Sequence, residues 1–190
     1  MPAQSLIKEI EHYSVEDYRH WEGDWELIHG MPLAMSPSPV IQHQRLGGEI
    51  YFQLREMLED CPNCEALYEI DVEFSQETVV RPDVIVICFE PTGDRITRAP
   101  DLIFEVLSPA TARRDERTKF QLYGEEGVRW YVLVDPAAAR AKVYRLVDGA
   151  YRKVGDFYDE SLPFELSGCT FEFDFGRLWR GRGAAPAVRV

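Results

Sequence analysis

The stretch from Arg81 to Tyr123 decides the fold. It contains RPDVIVI at 81–87 and DLIFEVLSPATARRDERTKFQLY at 101–123. Its two apolar runs are typical of strands in the interior of a sheet. Asp83 opens the first run and Glu105 lies inside the second. An ionised carboxylate is costly to bury unless a cation or a metal ion pairs with it, so these two positions require a functional or structural explanation.

The two carboxylates are predicted to converge. Alternate side chains of a strand lie on opposite faces, which places Glu105 on one face with Ile103 and Leu107. If the two strands are neighbours in suitable register, Asp83 meets Glu105 at one edge of the sheet. Mg²⁺ commonly binds one or two carboxylates and keeps waters that phosphate oxygens can replace, which predicts a Mg²⁺ (or Mn²⁺) site here. The alternatives are an aspartate that binds nearby amides at a strand entry, and an ion pair of Glu105 with Arg81.

The segment after the second run is predicted to be a helix. It starts with Ser-Pro at 108–109, a serine cap before a proline at the first helical position, and it stops before Gly127. Asp115, Lys119 and Tyr123 are spaced i, i+4, i+8 and share one face of this helix. Lys119 is the catalytic candidate, because it would orient or activate the attacking water or stabilise charge in the transition state. Asp115 and Tyr123 would border the site. The alternative is a solvated lysine paired with the aspartate.

Further candidates flank this constellation. Arg113, Arg114 and Arg117 form the densest basic cluster of the chain and would contact phosphates, or else form a solvated face. Glu26 lies in a strand-like segment, and His43 lies near the start of a long helix. Both are candidates for the periphery of the site.

The remaining pattern completes an α/β fold. A helix is predicted from Val40 to about Asp60, and strands at 66–74 (ALYEIDVEF), 78–89 (TVVRPDVIVICF) and 129–135 (RWYVLVD). The order of helix, three strands, helix and strand is typical of a mixed central sheet flanked by helices. SPSP at 36–39 should break the chain, and the end at 181–190 should fray.

Additions are predicted on both sides of this core. A short helix over 14–21 and a hairpin about His29-Gly30 precede it, and a hairpin about Asp148-Gly149 and an aromatic segment follow it. We therefore predict a single domain, 1–190, with a core over about 40–135, a helix and hairpin over 14–36, and a hairpin and aromatic segment over 141–180.

Composition limits the function classes. The net charge of −12 argues against a protein that coats nucleic acid, although an enzyme can carry a local basic patch. No apolar run reaches the roughly 18 residues that span a membrane, and the acidic N-terminus does not resemble a signal peptide. We therefore expect a cytoplasmic protein without a membrane partner.

The expected location also predicts the redox state of the cysteines. Cys61, Cys64, Cys88 and Cys169 are expected to be reduced thiols. The CxxC spacing of the first two cysteines predicts a turn after a helix, because a structural zinc would need two more ligands.

The ordered motifs resemble the Uma-type endonuclease family of the PD-(D/E)xK restriction-endonuclease-like superfamily. RPDVIVI, EVLSP, a helix with Lys-x-x-x-Tyr and VRWYVLVDP carry the resemblance, which spans about residues 14–147. Pro82-Asp83 matches the PD element and Glu105 the acid of (D/E)xK. The resemblance implies a restriction-endonuclease-like core (αβββαβ), with a metal ion held by Asp83, Glu105 and the backbone carbonyl of Val106.

One departure from the superfamily pattern affects function. Its lysine stands two residues after the acid, where this chain has Leu107, so Lys119 on the next helix would replace it. The leading prediction is a Mg²⁺-dependent nuclease that acts on DNA, as a homodimer or higher homo-oligomer. The alternative is a catalytically silent binding or regulatory module with the same fold. A more remote alternative is a hydrolase of a smaller phosphate ester.

Overall fold

A computed structural model describes residues 11–35 and 40–180. The predicted break at 36–39 and the predicted frayed end at 181–190 lie outside these residues. In the described part of the chain, no helix combines the length and apolar character needed to cross a membrane.

The helices described are α1 (Val15–Tyr18), α2 (Ile41–Met57), α3 (Phe120–Glu125) and α4 (Gly176–Trp179). The strands described are β1 (Trp25–Ile28), β2 (Met31–Ala34), β3 (Glu65–Tyr68), β4 (Val72–Ser75), β5 (Thr78–Val80), β6 (Val84–Ile87), β7 (Leu102–Val106), β8 (Trp130–Asp135), β9 (Arg140–Val147), β10 (Ala150–Phe157), β11 (Ser161–Leu166) and β12 (Cys169–Asp174).

The central sheet has the strand order β10-β9-β8-β7-β6-β3. Strands β7 and β8 are parallel and the other neighbours are antiparallel, so the sheet is mixed, as predicted. Every residue of β6 and β7 is buried, which explains the apolar sequence of β6 and, apart from Glu105, that of β7. The predicted pairing of these two strands is confirmed, with Ile85 opposite Ile103.

Helix α2 covers one face of this sheet. Its buried residues Leu46, Ile50 and Leu54 pack in the same core as Phe104 of β7, so the helix predicted from apolar spacing is confirmed. The aromatic segment near the C-terminus enters this core through Phe164, Phe171, Phe173 and Phe175. The opposite face packs against Tyr123 and Leu122 of α3. Helices and aromatic side chains thus bury the central strands on both faces.

A smaller sheet, in the order β2-β1-β5-β4, carries the N-terminal hairpin. Its turn at His29-Gly30 is confirmed, because both residues have positive φ (50° and 73°). Two predicted strands are wrong in extent, since 66–74 divides into β3 and β4, and 78–89 into β5 and β6. Glu69 has φ 47° between the first pair, and Pro82, which has no N–H for a ladder, lies between the second. At both breaks the chain crosses between the two sheets.

The helix predicted from 108 begins later than expected. Residues 109–111 form a turn in which the Ser108 and Thr111 hydroxyls lie 3.1 Å apart. A π-helical turn over Arg114–Lys119 then continues into α3. Gly127, with φ 85°, follows the helix, as predicted.

The expectation of reduced cysteines is wrong for this structure. Cys61 is joined to Cys169 and Cys64 to Cys88 in two disulfides. The predicted turn after α2 is present, with the Cys64 N–H bonded to the Cys61 carbonyl. The two bonds connect the end of α2 to the end of β6 and to β12. Sequence spacing missed both bonds because their partners are distant along the chain.

Candidate active site

The site forms where the start of β6 lies beside the end of β7. Antiparallel pairing brings Asp83, which precedes β6, next to Val106 at the end of β7. The Val106 N–H donates to Asp83 Oδ2 over 2.6 Å. Glu105 is the preceding residue on β7 and is only 3% exposed. The two predicted carboxylates therefore line one small cavity of about 50 Å³.

Lys119 enters this cavity from the π-helical turn. Its Nζ lies 2.7 Å from Glu26 Oε1 and 2.9 Å from Glu105 Oε1. Asp115 Oδ1 is 3.8 Å away, too far for a hydrogen bond. An ammonium has three N–H donors, so one donor remains for a substrate oxygen or a water. Lys119 is buried, and it is not the solvated partner of Asp115 that was the alternative.

Glu26 lies in the site, not merely at its periphery. It is 1% exposed in β1, and its Oε1 accepts the Arg81 backbone N–H over 3.1 Å as well as the ammonium. Its Oε2 accepts from the Arg114 guanidinium over 3.2 Å. The N-terminal hairpin thus contributes a carboxylate that connects Lys119 to one arginine of the basic cluster.

Tyr123 reaches the site from one turn further along the same helix. Its hydroxyl donates to Glu105 Oε1 over 2.8 Å. Asp115 is held separately, because its backbone carbonyl accepts from the Tyr131 hydroxyl. Lys119 and Tyr123 therefore both point at Glu105 of β7.

His43 reaches the site from the first turn of α2. Its Nε2 lies 3.3 Å from Asp83 Oδ2. The hydrogen bond to Asp83 is the largest cause that raises the His43 pKa, and burial opposes it. The Val106 backbone raises this pKa further. The imidazolium is therefore the form that this corner of the site favours.

The three arginines of the basic cluster have different surroundings. Arg114 reaches Glu26, whereas Arg113 and Arg117 are exposed. Arg81 does not pair with Glu105, the alternative raised by the sequence. Its guanidinium contacts Asp71 and Asp24, each over 2.8 Å.

Around β7 the buried acids outnumber the cations that attract them, and the pKa values of these acids reflect this. Burial raises the pKa of Glu105 well above its usual value, and repulsion from Asp115, Asp83 and Glu26 adds to this against the attraction of Lys119. Burial raises the pKa of Asp115 to about 6. Burial also acts on Glu26, but Lys119, Arg81 and Arg114 outweigh it and lower its pKa.

For Lys119, the attraction of nearby carboxylates outweighs the effect of burial on the pKa. Burial lowers its pKa, but the three carboxylates of Glu105, Glu26 and Asp115 raise it well above the usual value. The side chain is therefore an ammonium at neutral pH. It acts as a cation and hydrogen-bond donor, and it cannot accept a proton from water.

The donor set fits a divalent cation. Within residues 11–35 and 40–180, the hydrogen bonds to Asp83 and Glu105 use Oδ2 and Oε1, and the other oxygen of each takes none. The N–H and C=O of one strand residue face the same neighbouring strand, so the Val106 carbonyl lies on the side of Asp83. No cage of three or more His, Cys, Asp or Glu ligands exists in the described residues. Mg²⁺ commonly binds one or two carboxylates, and waters complete its coordination.

Some residues of the cavity were not predicted as site residues. Thr111 lines it and hydrogen-bonds to Asp115, which lowers the pKa of that acid against burial. Arg81 supplies a backbone N–H to Glu26. Met35 also lines the cavity. The only sequence signal for them was proximity, since Arg81 adjoins the Pro-Asp pair and Thr111 follows the serine of the turn.

Fold and site together define a class of protein: a mixed α/β nuclease-like domain with clustered carboxylates and a buried lysine at one sheet edge. Residues 15–171 match the model of the Uma2 family, described as "Putative restriction endonuclease". The chain belongs to this family, and the resemblance read from its motifs is confirmed.

A solved structure has the same fold. It is a crystal structure described as a "putative nuclease belonging to DUF820" from Anabaena variabilis ATCC 29413. The two chains share a TM-score of 0.71 and 18% sequence identity, over 87% of this chain and 96% of that chain. The predicted restriction-endonuclease-like fold is confirmed. No curated protein matches this chain significantly.

Proposed function

We propose that this protein is a Mg²⁺-dependent (or Mn²⁺-dependent) nuclease of the PD-(D/E)xK type that hydrolyses phosphodiester bonds in DNA. Family membership supports a nuclease. The observation that carries the proposal is the burial of Lys119 between Glu26 and Glu105, beside Asp83, at the end of β7. A lysine relocated to the helix thus reaches the acidic cavity from a backbone position different from that of the superfamily lysine.

Asp83, Glu105 and the Val106 carbonyl would hold the cation. When bound, Mg²⁺ supplies Lewis-acid polarisation of the scissile phosphate. The protein residues around it have separate tasks. Asp83 is oriented by the Val106 N–H, and Glu105 is oriented by Tyr123 and Lys119.

Lys119 stabilises negative charge that develops on the phosphate. Its raised pKa keeps it protonated, and fixed donors in a site shielded from water are effective because they need no reorganisation during the reaction. Glu26 is a positioning residue in this scheme, since it holds Lys119 and Arg114 on one carboxylate. Arg113 and Arg117, which are exposed, would contact neighbouring phosphates of the strand.

The test is cleavage of supercoiled plasmid and single-stranded DNA with Mg²⁺ or Mn²⁺, by the wild type and by Asp83→Asn and Glu105→Gln. Each variant should lose about 100-fold or more of the rate. Glu73→Gln is the matched control, because Glu73 is a buried carboxylate paired with Arg19 in the smaller sheet. Unchanged cleavage in both site variants would exclude this site. No cleavage with either metal would favour the silent binding or regulatory module.

Association of copies is also part of the proposal. Strand β10 is an edge of the central sheet, and its hairpin exposes Val147 (41%) and Val154 (44%). An exposed edge with apolar side chains is a surface for pairing. Light scattering should then give the mass of a dimer or higher oligomer, and Val154→Lys should lower it. A cytoplasmic location belongs to the same proposal; the two disulfides argue against it, because disulfides are rare in cytosolic proteins.

A further inference from the structure

A second cleft, of about 440 Å³, adjoins the candidate active site. Leu107, Pro109 and Ala112 line it on the side of the turn before the π-helix, and Val40 and Pro136 line it elsewhere. Leu107 is only 9% exposed, so this part of the lining is recessed. The volume falls within the roughly 300–1,000 Å³ of small-molecule sites.

The cleft and the site adjoin at His43. This side chain lines both the cleft and the small cavity of Asp83 and Glu105, and its Nε2 is 3.3 Å from Asp83. A phosphodiester held beside Asp83 therefore has the cleft next to it. The group that follows the phosphate along the strand would then enter the cleft beside His43.

The charge of the cleft favours the base of a nucleotide over its phosphate. Among the described residues that line it there is no lysine or arginine, and its two acids pair with cations outside the lining, Glu116 with Lys142 over 2.6 Å and Asp135 with Arg140 over 3.5 Å. Apart from His43 at the border with the site, such a lining offers no positive charge to a phosphate backbone, but it accepts a flat, neutral ring. Gln42 and Ser108 add amide and hydroxyl groups that can hydrogen-bond the edge of a base.

We propose that this cleft holds the base and sugar of one unpaired nucleotide next to the scissile phosphate, so that the substrate is single-stranded DNA or an unpaired end. The inference rests on the proposed function and adds the form of its substrate. A base inside a duplex is stacked and paired, and it must leave the stack before a recessed pocket can take it. A strand that is already unpaired avoids that free-energy cost.

The test compares three oligonucleotides of equal length with Mn²⁺: a mixed-sequence single strand, its blunt duplex, and a single strand of abasic sugar phosphates. The abasic strand keeps every phosphate but has no base to enter the cleft. The wild type should cut the mixed single strand about tenfold or more faster than either of the others, as expected for burial of one flat apolar group. Asp83→Asn measures the background in each assay.

A matched pair of variants tests the location. Ala137 is exposed and lines the cleft, whereas Ala138 is its exposed neighbour in the same turn and does not. Both backbone N–H groups donate to Asp135 Oδ1. Ala137→Trp should fill the cleft and reduce the preference for bases over abasic strands about tenfold. Ala138→Trp should keep that preference.

The outcomes separate this inference from the proposed function. If the abasic strand or the blunt duplex is cut as fast as the mixed single strand, the proposed nuclease activity is supported and the proposed nucleotide cleft is wrong. If Ala138→Trp loses the preference as fully as Ala137→Trp, the location is wrong. If the wild type cuts none of the three, both proposals fail. The substrate comparison needs no variant, so a poorly folded Ala137→Trp does not prevent a decision.

Discussion

Lys119 and Glu26 form an ion pair of 2.7 Å that joins the helix after β7 to the N-terminal hairpin. Both side chains are almost fully buried. The hairpin belongs to the smaller sheet, and Lys119 also contacts Glu105 of the central sheet over 2.9 Å, so the lysine connects the two sheets through the site. Stability and function therefore depend on the same contact.

The first prediction concerns this ion pair. Lys119→Met should lower the free energy of unfolding by about 3–5 kcal/mol, because it leaves buried carboxylates without their cation. Urea unfolding of the metal-free protein measures the loss. Lys142→Met removes a partly exposed pair with Glu116 and should cost less than about 1 kcal/mol. Equal losses in the two variants would contradict the prediction.

A double-mutant cycle extends this prediction to Glu26. Glu26→Gln combined with Lys119→Met should cost less than the sum of the two single changes, since each single change leaves a buried charge unpaired. Simple additivity would mean that the two side chains do not interact in solution.

The second prediction concerns the Tyr123 hydroxyl. Tyr123→Phe should cost about 1.5–3 kcal/mol, because the hydroxyl donates to the buried Glu105 carboxyl group. Tyr151→Phe is the control, since that hydroxyl donates to the neutral carbonyl of Val128, and it should cost about 0.5–1.5 kcal/mol. Thermal unfolding at several pH values gives both numbers. A larger loss for Tyr151→Phe would reverse the order expected from the structure.

The third prediction concerns the protonation of His43 in metal-free protein. Its pKa is raised above 6.5, chiefly by the hydrogen bond to Asp83. A raised pKa in the folded state means that this contact stabilises fully below the unfolded pKa and that its contribution is lost as pH rises through the folded pKa. NMR titration of the imidazole should show a lower pKa in Asp83→Asn. An unchanged pKa would place the imidazole away from Asp83.

The fourth prediction concerns the disulfides. The sequence separations are 108 residues for Cys61–Cys169 and 24 for Cys64–Cys88. Loop entropy predicts losses of about 5 kcal/mol and about 3.5 kcal/mol when each pair is changed to serine. Denaturant unfolding without reductant measures them, and the differences should shrink when dithiothreitol is present. Four free thiols in the non-reduced protein would contradict the pairing.

The strands and the convergence of acids were predictable because local rules decide them. Uninterrupted apolar runs form the buried strands, and adjacency of β6 and β7 brings Asp83 to the end of β7. The spacing of Asp115, Lys119 and Tyr123 was enough to put them on one face. These features depend on residues close together in sequence or on neighbouring strands.

Other features were not accessible to that reasoning. Glu26 reaches Lys119 only because the N-terminal hairpin packs across the site, and nothing near Glu26 in the sequence specifies this. The positive φ of Glu69, which ends β3, had no signal in its residue type. The disulfide partners meet through tertiary packing alone.

The π-helical turn before Lys119 makes the direction of the lysine depend on backbone winding as well as on side chains. A π-helical turn holds about one residue more than an α-helical turn. If the same residues wound as an ordinary helix, the preceding residues would be rotated by about 100° relative to Lys119. A change that rewinds 114–119 would therefore turn Lys119 away from Glu26 and Glu105 while every side chain that lines the site is still encoded.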